Sequence, residues 1–291
     1  MARTKKSPEQ RKAETEALHA QLAQQVEALV TSEAWQRFLR FATSFHTYSL
    51  NNVLLILAQR PDASRVAGFR QWQAKGRQVR KGEKGIKILG YSSKKITAED
   101  DNGEETERKV ARFPILTVFD IGQTEPIEGV EPVDDLTADV EGDDVAGIAS
   151  KVTGWLTGQG WIVDLEPVEG TTNGYTTTDG SKRVVIDSGL GSAQAAKTTL
   201  HEAAHVILHA DEPIAEYVQH RGVKETEAES VAYVTAGMAG LDTSAYSVGY
   251  VAGWSKGDAT VIRAAAENVM RAVHTLASVV DESDEEATAA A

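Results

Sequence analysis

The chain has 291 residues, of which 41% are hydrophobic and 25% charged, and it contains no cysteine. This composition is typical of a globular protein with room for two domains, and no apolar run approaches the roughly 18 residues that would span a bilayer. The net charge of -13 argues against a uniformly basic nucleic-acid binder, and the polar, basic N-terminus favours a cytoplasmic protein without a membrane partner.

The first part of the chain combines helical and extended patterns. Apolar spacing predicts helices over 8–30, around 35–42 and over 51–59, and a short helix over 68–75 that Gly76 ends. Segments 78–80, 85–89 and 110–119 are typical of strands. We therefore predict an α+β domain over 1–124, with Phe69 and Trp72 as core anchors.

Positive charge is concentrated in one segment of this domain. Between residues 60 and 95, two acids stand against eleven bases: Arg60, Arg65, Arg70, Lys75, Arg77, Arg80, Lys81, Lys84, Lys87, Lys94 and Lys95. A turn over residues 82–85 would display three of these lysines at strand ends, where they suit contacts along a phosphate backbone. A charged segment is also typical of a merely solvated face, so charge alone leaves both interpretations open.

Aromatic side chains interleave with these bases, and the unstacked bases of a single strand can lie on such flat side chains. Among Tyr48, Phe69, Trp72 and Tyr91, we favour Tyr48 for stacking, because it lies beside Ser49 and Asn52. The segment therefore predicts binding of single-stranded nucleic acid. Its candidate contact residues are Tyr48, Asn52, Arg77, Arg80, Lys81, Lys84 and Lys87.

An acidic segment follows this domain. Residues 125–144 contain nine acids, no base, two prolines and two glycines, which predicts an extended linker. We place a second domain at 145–280, and we expect the acidic, alanine-rich segment 281–291 to be a disordered tail.

A hairpin and a helix are predicted next in the second domain. Gly174 and Tyr175, a D-G turn and segment 182–187 predict a β-hairpin, which could align an extended peptide. Ser192 is the predicted N-cap of a helix over 192–210. That helix carries H-E-x-x-H at residues 201–205, which places two imidazoles on one face with a carboxylate beside them, as zinc sites require.

A further helix, predicted to open near Val223, carries Glu225, Glu227 and Glu229 and could supply a third ligand. Glu225 and Glu229 share a helical face, so one could bind the metal while the other supports a ligand. Glu227 lies about 160° from that face, and we predict that it is solvated. We also expect His209 to be solvated, or to cap the end of its helix.

The spacing of these residues resembles that of the glutamate zincins, the thermolysin-like class. The resemblance implies that His201, His205 and Glu225 bind one Zn²⁺ per chain and that Glu229 holds His201 from outside the ligand set. Glu202 would then accept a proton from the attacking water, as in a metallopeptidase. The alternatives are two surface histidines beside a solvated glutamate, or a metal with a purely structural role.

Two further features lie towards the C-terminal end of the sequence, a pair of tyrosines and a last helix. Tyr246 and Tyr250, four residues apart, are more typical of packing than of a donor to a developing oxyanion, although both roles stay open. A last helix over about 257–279 is predicted to pack across the second domain.

Long stretches of the chain resemble ArdC-type antirestriction proteins. The residues that carry the resemblance are Tyr48-Ser49-Leu50-Asn51-Asn52, Gln59-Arg60-Pro61, Val66-Ala67-Gly68-Phe69, Trp72 and the run from Gly76 to Ile86. Residues 225–233 and 246–254 are also similar to ArdC and to the ImmA/IrrE metallopeptidase group. The resemblance covers about 33–95 and 171–257. It implies a single-stranded-DNA-binding domain followed by a zincin-like metallopeptidase domain.

Two hypotheses about function follow. The resemblance implies an antirestriction protein that binds single-stranded DNA, with the zinc-dependent domain secondary or acting beside it. The alternative is a regulatory metallopeptidase that cleaves a protein such as a repressor or a restriction component, with DNA binding only to localise it. Because the whole chain is acidic, DNA affinity would come from a local patch and would fall steeply with salt.

Overall fold

The structure is a computed structural model that describes residues 7–99, 105–128, 145–170, 172–213, 220–241, 255 and 257–280. The chain forms two compact units. The first contains residues 1–25 and 51–135, and the second contains residues 26–50 and 136–291. The predicted domains at 1–124 and 145–280 stay predictions, and the compact units differ from them in assigning residues 26–50 to the second unit.

The N-terminal part contains both helices and antiparallel strands, which is consistent with the predicted α+β class. Helices α1 (Pro8–Ala28), α2 (Ser32–Ser44), α3 (Leu50–Gln59) and α4 (Phe69–Ala74) lie close to their predicted positions. Strand β1 (Val66–Gly68) precedes α4, and β2 (Arg77–Val79) and β3 (Ile86–Leu89) follow it. The continuous apolar run over residues 53–57 makes α3 a core helix, and all five side chains are buried.

The predicted strand over 110–119 is two strands. β5 (Glu105–Arg112) pairs antiparallel with β4 (Ser92–Glu99), whereas β6 (Ile115–Asp120) is the centre of the antiparallel sheet β1-β6-β3. Pro114 lies between the two strands, and its missing N–H explains why one ladder does not continue into the other.

The predicted linker begins with a strand. β7 (Thr124–Pro126) pairs with β2, with Gln78 opposite Glu125. Pro126 is tolerated there because it sits at the end of a two-stranded ladder. Residues 125 and 126 of the predicted linker thus lie in a strand, and residues 129–144 lie outside the described part of the chain.

The second unit packs helices against a three-stranded sheet. Helices α5 (Val145–Gly158), α6 (Ser192–His209), α7 (Arg221–Met238) and α8 (Ala259–Val280) pack on one another. Helix α2 packs on α7, where the buried indole of Trp35 donates to the hydroxyl of Ser230 at 3.0 Å. The helices thus bury a continuous core that includes Leu156, Leu200 and Ile262.

The sheet of this unit has the order β8-β10-β9. The predicted hairpin is confirmed: β9 (Gly174–Thr176) pairs antiparallel with β10 (Arg183–Asp187), and Gly180 of the D-G turn takes a positive φ of 85°. Strand β8 (Ile162–Glu166) adds a parallel partner on the other side of β10. The hairpin leads into α6, which begins after an N-cap at Gly191 rather than at Ser192, its first helical residue.

Some predictions fall on residues outside the described ranges. Tyr246, Tyr250 and the predicted tail at 281–291 are among them. Within the described residues, each helix is too short or too polar to cross a membrane.

Candidate functional site

Helix α6 places two histidines side by side. His201 and His205 are one turn apart, and their Nε2 atoms lie 3.1 Å from each other. His205 is buried and His201 is partly buried. The helical spacing predicted from the sequence therefore brings both imidazoles to one point.

Helix α7 brings a carboxylate to the same point. Oε2 of Glu225 lies 3.5 Å from Nε2 of His201 and 3.8 Å from Nε2 of His205. These are the three side chains that could hold a metal ion among the described residues, with ligand atoms all within 4.8 Å of one another.

The three donor atoms fit a tetrahedral cation. Metal–ligand bonds of about 2.0–2.1 Å at tetrahedral angles separate neighbouring ligand atoms by about 3.4 Å. The observed separations of 3.1, 3.5 and 3.8 Å bracket that value. Two imidazoles and one carboxylate are also a donor set that zinc and other divalent transition metals accept.

The titratable groups at this site shift one another's pKa values. Burial lowers the pKa of His201, but hydrogen bonds to Glu225 and Glu229 outweigh burial and raise that pKa from 6.5 to about 9. Burial lowers the pKa of His205. The neighbouring imidazoles of His201 and His205 hold the pKa of Glu225 far below its ordinary value. The metal-free protein thus has an imidazolium where a cation would bind.

Glu229 occupies the position predicted for a supporting residue. Its Oε2 lies 3.2 Å from Nδ1 of His201, the ring nitrogen that faces away from Glu225. A carboxylate there orients the imidazole and leaves Nε2 directed at the other two donors.

Glu202 lies beside the donors on a strand-facing side of α6. Its carboxylate is buried and accepts a hydrogen bond from the hydroxyl of Thr176 on β9 at 2.7 Å. Glu202, Thr176 and the three donor residues line one cavity of about 380 Å³ in the second unit. That volume suits a small ligand or a short stretch of peptide.

The predicted solvation of Glu227 and His209 is wrong. Only 3% of Glu227 and 4% of His209 are exposed, and the two side chains hydrogen-bond each other at 2.9 Å. The sequence contained an indication of this, because Glu227 shares helical spacing with the buried residues Ser230, Val231 and Val234. That face of α7 packs against α6 and α8.

The predicted DNA-contacting cations differ in what surrounds them. Lys81 and Lys84 are exposed on either side of a turn in which Gly82 takes a positive φ of 92°. Lys87 donates to the hydroxyl of Thr117 at 2.6 Å. Arg80 contacts Glu83 at 2.8 Å, and Arg77 donates to Thr124 at 2.8 Å; these contacts hold the three side chains against the first unit.

Tyr48 and Asn52 are engaged in contacts within the protein. Tyr48 is half-buried, its ring contacts Phe45 edge-on at 6.0 Å, and burial raises its pKa. Asn52 bonds both backbone groups of Leu89, so its amide is engaged. Tyr48 belongs to the second unit, whereas the other six predicted residues belong to the first.

The aromatic residues of the basic segment differ in how exposed they are. Trp72 is buried and its indole donates to the carbonyl of Phe119, which confirms it as a core anchor. Phe69 is 48% exposed, so its prediction as a core anchor is wrong. Its position at the first residue of α4 leaves the ring beside Phe119 on the half-exposed face of the sheet. Tyr91 is 73% exposed and contacts Phe113, an exposed aromatic that the sequence analysis missed.

Residues 12–119 match the family model of the N-terminal domain of the anti-restriction factor ArdC. The matched ArdC segment contains Tyr48, Asn52 and the five predicted basic residues. The α6–α7 site lies after the end of this match.

Similarity to one curated protein extends over most of the chain. The chain is 27% identical over 318 aligned positions to an uncharacterized protein of Bacillus anthracis, an alignment that covers 97% of this chain and 53% of that protein. The chain thus spans about half the length of the curated relative that it matches.

Two crystal structures of the antirestriction protein ArdC from the R388 plasmid are also similar. The metal-free structure is 22% identical with a TM-score of 0.48, covering 80% of this chain and 85% of the R388 chain. The Mn(II)-bound structure is 19% identical with a TM-score of 0.46, covering 81% and 90%.

Proposed function

We propose that this protein is an ArdC-type antirestriction protein that binds single-stranded DNA through its N-terminal domain and carries a zinc-dependent, zincin-like peptidase domain. The match of residues 12–119 to the ArdC N-terminal domain is the observation that carries the antirestriction part. We place this activity in the cytoplasm, where incoming DNA would meet restriction enzymes.

The surface of the first unit supports the DNA-binding part. Lys81 and Lys84 are exposed, and their ammonium groups suit contacts to phosphates. Exposed rings at Phe69, Tyr91 and Phe113 offer flat faces on which unpaired bases could stack. Every base can stack on an aromatic ring, so this mode of binding would suit a protein that protects DNA of any sequence.

The donor set of α6 and α7 supports the metal-dependent part. We assign His201, His205 and Glu225 as ligands of one divalent cation per chain, with zinc as the expected metal, and Glu229 as the residue that orients His201. When bound, a divalent cation supplies Lewis acidity that polarises a carbonyl group and lowers the pKa of a coordinated water molecule.

We assign the proton transfers of the proposed hydrolysis to Glu202. In this proposal its carboxylate takes up a proton from an attacking water molecule and passes that proton to the leaving amine. Thr176 orients the carboxylate through the 2.7 Å hydrogen bond to Oε2. Glu202 itself is buried in the wall of the cavity, which limits its contact with bulk water.

The same cavity supports an alternative function. Strand β9 borders it and could align an extended peptide, so a regulatory metallopeptidase that cleaves a repressor or a restriction component is the second candidate. In that case the DNA-binding domain would serve to localise the enzyme, and a protein would be the substrate.

Replacement of Glu202 separates the two functions. Glu202→Gln removes the proton acceptor and keeps the side-chain volume, so metal and DNA binding should be retained while any proteolysis is lost. Protection of DNA from restriction enzymes would be compared among wild type, Glu202→Gln and the surface variant Glu267→Gln. Unchanged protection would support the DNA-binding antirestriction function, whereas lost protection in a variant that still binds DNA would favour the peptidase.

A further inference from the structure

A buried chain of hydrogen bonds starts at His205 and runs away from the three donor atoms. Nδ1 of His205 lies 3.0 Å from Nδ1 of His209, one helical turn further along α6. Both rings are buried, and their centroids are 5.2 Å apart. His205 therefore contacts Glu225 with one ring nitrogen and His209 with the other.

The chain continues into the neighbouring helices of the second unit. Nε2 of His209 lies 2.9 Å from Oε2 of Glu227 on α7, and Asn268 on α8 donates to Oε1 of the same carboxylate at 2.9 Å. Glu227 is thus a buried carboxylate with a partner on each oxygen. Lys224, on the same helix, is the nearby cation that offsets its charge.

With Glu227 ionised and both imidazoles neutral, only one arrangement of protons satisfies the His205–His209 and His209–Glu227 contacts. The carboxylate of Glu227 can only accept, so Nε2 of His209 carries a proton and Nδ1 of His209 has a free lone pair. That lone pair must accept from Nδ1 of His205. Nε2 of His205 is then left without a proton, and it is the nitrogen that faces His201 and Glu225.

We propose that His209, Glu227 and Asn268 are positioning residues that fix His205 in the Nδ1–H tautomer and so present the lone pair of its Nε2 to a metal. This inference rests on the proposed metal site and adds to it a residue set behind the second histidine. Glu229 supports His201 in the same way, so each histidine has its own carboxylate, reached directly in one case and through a second imidazole in the other.

The energetic cost of burying this chain of hydrogen bonds argues that it positions His205. Burying a carboxylate and two imidazoles costs free energy that an apolar core of the same volume would not require. The neighbouring positions Val231, Val234 and Ala266 are apolar, as an ordinary helix interface would be throughout. Buried hydroxyls also lie on α7, at Ser230 and Thr235, but the buried carboxylate of Glu227 and the imidazole of His209 both connect to His205.

Two variants test the hydrogen-bond chain behind His205, and a third is the matched control. His209→Phe removes the acceptor for Nδ1 of His205 while filling the space, and Glu227→Gln keeps the shape but removes the charge. Thr235→Val removes another buried hydroxyl of α7 and serves as the control. Nitrogen-15 NMR of the metal-free proteins reports the tautomer of His205, and competition with a chelator gives the affinity for Zn²⁺.

We expect a single Nδ1–H tautomer of His205 in wild type and in Thr235→Val, and a mixture in His209→Phe. The affinity for Zn²⁺ should fall about 10- to 100-fold in His209→Phe and about tenfold in Glu227→Gln, which are typical losses for residues that support a ligand. If His209→Phe does not fold, Glu227→Gln decides through its affinity relative to Thr235→Val.

A proton on Nε2 of His205 in wild type would overturn the inference. Zn²⁺ affinities that match the control in every variant that folds would also overturn it. If wild type binds no divalent cation, the proposed metal function fails on its own. The tautomer then decides: a change between wild type and His209→Phe supports the positioning chain, and no change overturns it.

Discussion

The ammonium group of Lys197 lies 2.6 Å from Oε1 of Glu229. Burial alone would raise the pKa of Glu229, but His201 and Lys197 outweigh burial and lower it, so this carboxylate stays charged beside the imidazole. Glu229→Gln should therefore weaken binding of Zn²⁺ about 10- to 100-fold. Competition with a chelator of known affinity measures the change.

The control for this variant is Glu267→Gln. Glu267 forms a surface pair with Arg263 one turn away, so its replacement removes the same charge without touching the site. Equal Zn²⁺ affinities of the two variants would show that Glu229 does not support His201.

Binding of the metal should depend on pH through His201. A cation must displace the proton that Glu225 and Glu229 hold on His201, whose pKa is about 9. The affinity for Zn²⁺ should thus rise about tenfold per pH unit from neutral pH and level off near pH 9. Calorimetry in buffers of different ionisation enthalpy should detect about one released proton per metal at neutral pH.

The metal-free protein should show the opposite trend in stability. Because the pKa of His201 is raised above 6.5, its imidazolium stabilises the fold fully below that pH, and this contribution is lost as pH rises through about 9. A thermal melting temperature that does not fall between about pH 7 and pH 10 would contradict the assigned charge state.

The side chain of Asn52 should matter for stability. Its amide donates to the carbonyl of Leu89 and accepts from the N–H of Leu89, both at 2.9 Å, and so covers the free edge of β3. Asn52→Ala should lower the free energy of unfolding by about 1–3 kcal/mol, because two partly buried backbone groups lose their partners. Urea denaturation measures it, and exposed Gln73→Ala is the control.

The predicted DNA-binding role of Asn52 can be separated from this effect. At a temperature where the variant is folded, single-strand affinity measured by gel shift should match that of wild type. A loss of affinity without a loss of stability would instead favour a direct contact between Asn52 and DNA.

Charge reversal should identify the DNA-binding surface. Lys81→Glu with Lys84→Glu should weaken binding of single-stranded DNA severely at low salt and reduce the salt slope by about 0.7 for each phosphate that is no longer neutralised. Lys12→Glu with Arg271→Glu changes the net charge equally outside the basic segment and is the matched control. Equal weakening in both double variants would mean that overall charge governs binding.

Local patterns were sufficient to predict much of the site. The spacing of His201 and His205 on an amphipathic helix required no tertiary information, and neither did the shared face of Glu225 and Glu229. Both sets of residues meet as the helical geometry implies. The D-G turn similarly predicted the β9–β10 hairpin.

The errors arose where tertiary packing decides. The angle of Glu227 relative to Glu225 predicts a solvated side chain, whereas its spacing with Val231 and Val234 places it on the buried face. Single-sequence patterns do not reveal which helix covers that face. The position of His209 near the end of its helix similarly predicts solvation, whereas Glu227 provides a partner that makes its burial favourable.

Pairing between distant segments was equally hard to predict. The parallel partner of β10 is β8, some 20 residues earlier, and β7 pairs with β2 across more than 40 residues. A strand of three to five residues has too weak a local pattern to indicate its partner. The exposed pair Tyr91 and Phe113 depends on such pairing as well, since Tyr91 directly precedes β4 and Phe113 directly follows β5.

The central claim is that His201, His205 and Glu225 together bind one divalent cation. The most direct measurement is metal analysis of the purified protein after loading with Zn²⁺, compared with His205→Ala prepared in the same way. The account predicts one equivalent of zinc in wild type and its loss in the variant, with the fold retained by circular dichroism. No bound metal in folded wild type, or one equivalent in both proteins, would contradict it.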